Sequence, residues 1–104
     1  MALDIEVIKG YLRENKVHWR GHILTRMQQR GIRIDDVFNC ILNGEVIEDY
    51  PADYPYPSCL VLGRTHNNNA LHVVCSVGQD YVWMITTYYP DGDEWIEGFR
   101  ERRR

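Results

Sequence analysis

The chain has 104 residues and a mass of 12.3 kDa, enough for one domain whose core needs neither staples nor metals. Its 44% hydrophobic and 26% charged content excludes an intrinsically disordered chain, and no apolar run approaches the ~20 residues of a membrane span. The net charge of −3 is unevenly divided: residues 9–33 hold seven cations against Glu14, residues 34–99 hold Arg64 against eleven acids, and four more arginines crowd residues 100–104.

That segregation predicts a basic face for an anionic partner and an acidic face for a cationic one. The first residues include Asp4 and Glu6, where a signal peptide would be basic, so a cytoplasmic address is expected. Cys40, Cys59 and Cys75 form no CxxC pair and sit among apolar residues, which predicts three reduced, buried thiols.

Ile5, Ile8, Tyr11 and Leu12 recur at helical spacing and predict a first helix. A second is expected over 17–30, with Gly31 as its C-terminal cap. Asp35 or Asp36 can open a third, carrying Val37, Phe38, Ile41 and Leu42 and closed by Asn43-Gly44. Residues 45–50 begin the strands, and the three prolines at 51, 55 and 57 make an extended loop. Residues 59–65 and 71–77 are β-rich runs joined by the turn His66-Asn67-Asn68-Asn69, and residues 81–89 form the longest strand. Asp93 can cap a short final helix through Trp95, Ile96 and Phe99. The expected fold is a single α+β domain over 1–104, with N-terminal helices packed on a four-stranded antiparallel sheet and a short C-terminal helix.

Two constellations carry chemistry. His18, His22, Arg26 and Arg30 stand four apart and would form one helical stripe, beside an apolar stripe of Trp19, Ile23 and Met27. Like charges at this spacing repel, so the cations make sense against a phosphate-rich ligand, to which arginine offers a planar fork. No glutamate lies between His18 and His22, and the adjacent arginines disfavour a divalent ion, so no metal and no cofactor is expected. On the strands, alternation sets His72 opposite in sense to Leu71, Val73 and Cys75, and pairing with the last strand could bring it near Thr86 or Tyr88. An imidazole beside a hydroxyl suits general acid–base work.

These residues also carry a family resemblance. His22-x3-Arg26-Met27-x2-Arg30-Gly31-Ile32, Gly44-Glu45-Val46-Ile47-Glu48-Asp49-Tyr50-Pro51, Tyr56-Pro57-Ser58-Cys59-Leu60, Leu71-His72-Val73-Val74 and Ile85-Thr86-Thr87-Tyr88-Tyr89-Pro90-x4-Trp95 resemble the successive blocks of the DUF4258 family, over about residues 17–100. That family is grouped with RelE/ParE-like toxins and small nucleases of the barnase–EndoU–colicin–RelE type. The resemblance implies a RelE-like fold and the toxin of a type II toxin–antitoxin system. It also implies an antitoxin partner, often with a YgiT-type zinc finger, and metal-independent cleavage of RNA through its 2′-hydroxyl.

On this reading His22 and His72 supply acid and base, and Thr86 and Tyr88 donate hydroxyls. Arg26 and Arg30 clamp phosphate, while Arg102 and Arg103 add backbone attraction. The alternative is a non-catalytic protein- or nucleic-acid-binding module with an acidic partner-binding face and structural histidines. The two differ in one geometric respect: the enzyme needs the basic helix and His72 in one cleft.

Overall fold

The computed structural model describes residues 3–104. Its first helix, α1 (Ile5–Arg13), starts where the Asp4 carboxylate accepts from the Glu6 N–H at 2.8 Å, satisfying an otherwise orphaned donor. The helix buries Ile8 and ends in a turn through Asn15, whose φ is 58°.

The expected helix over 17–30 is two elements. Val17–Trp19 forms a strand, β1, and only Ile23–Arg30 is helical, as α2. The physical reason is non-local: Lys16 O accepts from Val82 N–H and the Arg20 N–H donates to Met84 O, both at 3.0 Å, so β1 is claimed by a strand more than sixty residues away. A β-branched and an aromatic residue suit that pairing, and Gly21 at φ 55° turns the chain into α2. Gly31 caps α2 in the left-handed conformation, as its position predicts. The third helix, α3 (Ile34–Leu42), begins one residue before Asp35; Asp36 accepts from the Arg33 N–H at 2.9 Å and so caps the helix from inside its first turn.

Four strands follow: β2 (Glu45–Tyr50), β3 (Ser58–Arg64), β4 (Ala70–Gly78) and β5 (Tyr81–Tyr88). They form the expected antiparallel meander, with a proline-rich loop after β2 and a turn at His66-Asn67-Asn68-Asn69. The sheet is nevertheless five-stranded and mixed, in the order β1-β5-β4-β3-β2, because β1 adds in parallel to β5. This overturns the four-stranded antiparallel sheet of the RelE-like expectation.

The sheet has two distinct faces. Ile23, Met27, Val37, Cys40 and Ile41 from the helices join Val61, Leu71, Val73, Val82 and Met84 in one buried cluster, which defines the inner face. Strand alternation sends His72, Trp83 and Tyr88 to the outer face. Bulges between Val46 and Glu48 in β2, and against Val74 and Cys75 in β5, shift the alternation partway along those strands.

Among the described residues no helix follows β5, contrary to the helix expected after Asp93. Residues 90–104 run as turns closed by a single bridge between Trp95 and Arg102. Ile96 N–H donates to Glu101 O at 2.8 Å and Arg103 N–H to Glu94 O at 2.8 Å, so long-range pairing takes groups that a helix would use. Gly98 at φ 93° and Phe99 at φ 61° reverse the chain between them. Among the described residues no helix is long and apolar enough to cross a membrane.

Candidate functional site

Register assembles the outer-face site. In the antiparallel ladders Leu62, His72 and Tyr88 stand side by side, and Leu60, Val74 and Thr86 form the next row. Glu48 lies opposite Leu60 and Tyr50 opposite Ser58, so the bulge in β2 brings both onto the same face. Trp95 then folds back from the C-terminal segment and is buried edge-on against the His72 ring, with centroids 4.5 Å apart.

His72 is fully buried. Its Nε2 lies 2.8 Å from the Phe99 carbonyl oxygen, which can only accept, so this nitrogen donates. In the neutral ring Nδ1 is then the acceptor, and the Tyr88 hydroxyl faces it at 3.4 Å. Burial holds the imidazole below its ordinary pKa of 6.5; the bond to Phe99 and the Glu48 charge oppose this, and the Arg102 charge reinforces it. Burial likewise pushes the Tyr88 phenol up, keeping it protonated at neutral pH. The pair is therefore a neutral base facing a neutral donor.

Arg102 closes the site from the other side. Its Nε and Nη2 donate to the two Glu48 oxygens at 2.9 and 3.0 Å, a bidentate fork, and its guanidinium carbon stands 4.6 Å above the Trp95 ring. Tyr50 also donates to Glu48. Burial would raise the Glu48 pKa, but the hydrogen bonds from Arg102 and Tyr50 outweigh it and hold the carboxyl below its usual value. Burial and the bond to Glu48 push Tyr50 up to about 12. Beside this network opens a cleft of about 830 Å³, lined by two apolar residues, Ile47 and Ile96, two acids, Glu48 and Glu101, and the arginines at 100, 102 and 104.

The residues singled out from sequence divide between the two faces. His72 and Tyr88 meet, Thr86 lies one row along the same face, and Arg102 borders the cleft. Arg103 does not join them, because its Nε donates to Gly92 O at 2.6 Å within the C-terminal turns. The α2 group lies elsewhere: His22 is the exposed residue at the helix start, and Arg26 is exposed. Arg30 uses Nη1 to donate to Thr87 O at 2.9 Å. Since Ile23 and Met27 seat α2 on the inner face, the sheet separates this stripe from His72. His18 leaves the stripe altogether, standing on β1 against Tyr81 and Trp83.

Sequence reasoning missed Glu48, Tyr50 and Trp95. Unbroken alternation would group Glu48 with the inward-packing Val46, and only the bulge separates them. Trp95 falls in the expected C-terminal helix, whereas the structure puts it on a return loop bridged to Arg102. Among the described residues no three His, Cys, Asp or Glu side chains gather as a ligand set for a metal. Cys40, Cys59 and Cys75 are free and buried; burial pushes Cys40 up to about 12, which leaves it a poor nucleophile.

The fold and site thus define a small α+β domain with helices on one sheet face and a polar, arginine-bordered cluster on the other. The chain belongs to the family described as Domain of unknown function (DUF4258), whose profile matches residues 19–89. No curated protein and no solved structure matches it.

Proposed function

We propose that the chain is the toxin of a type II toxin–antitoxin pair, a cytoplasmic endoribonuclease that cleaves RNA through its own 2′-hydroxyl without a metal. The family resemblance supplies the setting, including a small antitoxin that can carry a YgiT-type zinc finger. The observation that carries the chemistry is the outer-face pair: a neutral His72 Nδ1 facing the Tyr88 hydroxyl, next to the Arg102-bordered cleft.

Cleavage removes a proton from the 2′-oxygen, forms a bond from that oxygen to phosphorus, and breaks the bond to the 5′-oxygen, which takes up a proton. In this scheme the half-buried Tyr88 turns its hydroxyl to the substrate, and His72 behind it takes and returns the proton. Arg104 offers a guanidinium to the charged phosphorane, and Arg102 and Arg100 can add only what their pairing with Glu48 and Glu45 leaves free. The sheet keeps His22, Arg26 and Arg30 apart from His72, so the single cleft expected of the enzyme does not form. This counts for the binding module, and the scheme rests on outer-face residues alone, with no catalytic part for α2.

A purified chain should cleave single-stranded RNA in the presence of EDTA and leave 2′,3′-cyclic phosphate ends. Tyr88→Phe should lower the rate by ~10²-fold or more. Loss of cleavage on chelation, restored by one divalent ion, contradicts the scheme.

The burial of His72, with both ring nitrogens occupied, favours a second reading: a non-catalytic module that binds through its surface. It predicts no cleavage by any variant and unchanged partner binding in Tyr88→Phe.

A further inference from the structure

At the far end of the outer face from Trp95 stands a group of rings that the proposed cleavage chemistry does not use. The parallel register sets His18 of β1 directly beside Trp83 of β5. The His18 ring centroid lies 4.2 Å from Tyr81 and 4.4 Å from Trp83, with tilts of 36° and 31°. Tyr56 extends the row, 6.0 Å from Trp83, and rests on Gly78, where a Cβ would collide with its ring. The Trp83 Nε1–H donates to Gly78 O at 3.0 Å, so the indole is fixed in orientation. These rings are preorganised.

They are also uncovered. None belongs to the buried core, the helices pack on the inner face, and the C-terminal return lies over His72 at the other end of the sheet. His18 is exposed, while Tyr56, Tyr81 and Trp83 are half-buried. Arg20 follows two residues after His18 on the same alternation, its N–H held by Met84 O. It is exposed and has no acidic partner among the described residues. Rings that stack any base, beside a cation that meets phosphate, fit single-stranded nucleic acid rather than an apolar protein surface.

We propose that His18, Tyr81 and Trp83, with Tyr56 at their edge, form a stacking platform for an unpaired base of single-stranded RNA, with Arg20 on the adjoining phosphate. The choice of RNA rests on the function proposed above; the stacking surface itself does not need cleavage. Trp83 and Tyr88 are five residues apart on β5, about 15 Å along a strand with one bulge, so a few nucleotides would join platform and site.

The test is binding of a short fluorescein-labelled oligouridylate to the full chain, followed by anisotropy at fixed salt. His18→Ala and Tyr81→Ala should each weaken binding about tenfold, within the range for one stacked base. His18→Tyr, which keeps a ring, should bind as the parent does, and thermal melts should show all three variants folded. If the ring variants fold and bind the oligonucleotide like the parent, or if the parent does not bind it at all, the platform is wrong. Loss of self-association in His18→Ala, with oligonucleotide binding unchanged, also overturns it by making the patch a contact between copies. A parent that binds and never cleaves refutes the cleavage proposal and leaves the platform standing. A parent that cleaves, with ring variants that bind as well as it does, has the opposite meaning.

Discussion

His72 shows how one residue couples folding to pH. Its imidazole is held below the ordinary 6.5 chiefly by burial, so the unfolded chain binds a proton more readily than the folded one. Stability is therefore complete above about pH 7 and falls as pH drops below the unfolded value of about 6.5. Glu48 is also depressed, but its window opens lower, below the ordinary carboxyl value of 4.5. Urea midpoints measured between about pH 7 and pH 5 should fall for the parent and stay flatter for His72→Asn. Equal slopes for the two proteins would show that His72 is not the group responsible. The residue's type and strand position were legible in sequence. Its complete burial was not, because the covering Trp95 and Phe99 come from a segment with no regular structure.

The elements explain which sequence patterns can be trusted. α1, α2, α3 and the β2–β5 meander follow from local periodicity, caps and turns, and α2 ends at Gly31 as its composition predicts. β1 is different. Val17-His18-Trp19 carries no strand signal long enough to compete with a helix that continues into Ile23 and Met27, and its partner lies near the other end of the chain. A parallel edge strand of three residues is decided by tertiary pairing alone. The bulges in β2 and β5 act similarly, since one inserted residue reverses the facing of every side chain beyond it.

One close approach between elements gives a sharp expectation. α3 crosses β3 so tightly at Gly63 that a Cβ there would strike the Cys40 backbone, which cannot move aside as a flexible side chain could. Gly63→Ala should lower stability by about 1–3 kcal/mol or more, the usual cost of overpacking. Gly10→Ala meets open space within α1 and should be neutral or slightly stabilising. Chemical denaturation of both variants checks the pair, and a neutral Gly63→Ala would mean that α3 and β3 are further apart.

At the scale of the whole molecule, the charge segregation of the sequence is partly folded onto itself. Arg102 and Arg100 of the basic tail pair with Glu48 and Glu45 of the acidic half, and Asp36 is spent on capping α3. The acidic half is thus less free to recruit a partner than its composition suggests. Exposed cations stand on both sides of the sheet, Arg26 on α2 and the arginines at 100, 102 and 104 along the outer-face cleft. The sheet between them is the reason a shared site of His22, Arg26 and His72 does not form. Helical spacing over 17–30 implied a continuous stripe, and the break at Gly21 removed it.

The cleavage chemistry proposed above is confined to the outer face. Its most direct test is the rate of RNA cleavage in EDTA by the parent, Tyr88→Phe and Arg26→Ala, with melts to confirm folding. Arg26 is exposed on α2, so its removal should change stability by under about 1 kcal/mol. Arg26→Ala should cleave within a few-fold of the parent, while Tyr88→Phe should lose ~10²-fold or more. A folded Arg26→Ala that is inactive, beside a Tyr88→Phe that cleaves normally, would move the site to the helix face and contradict it.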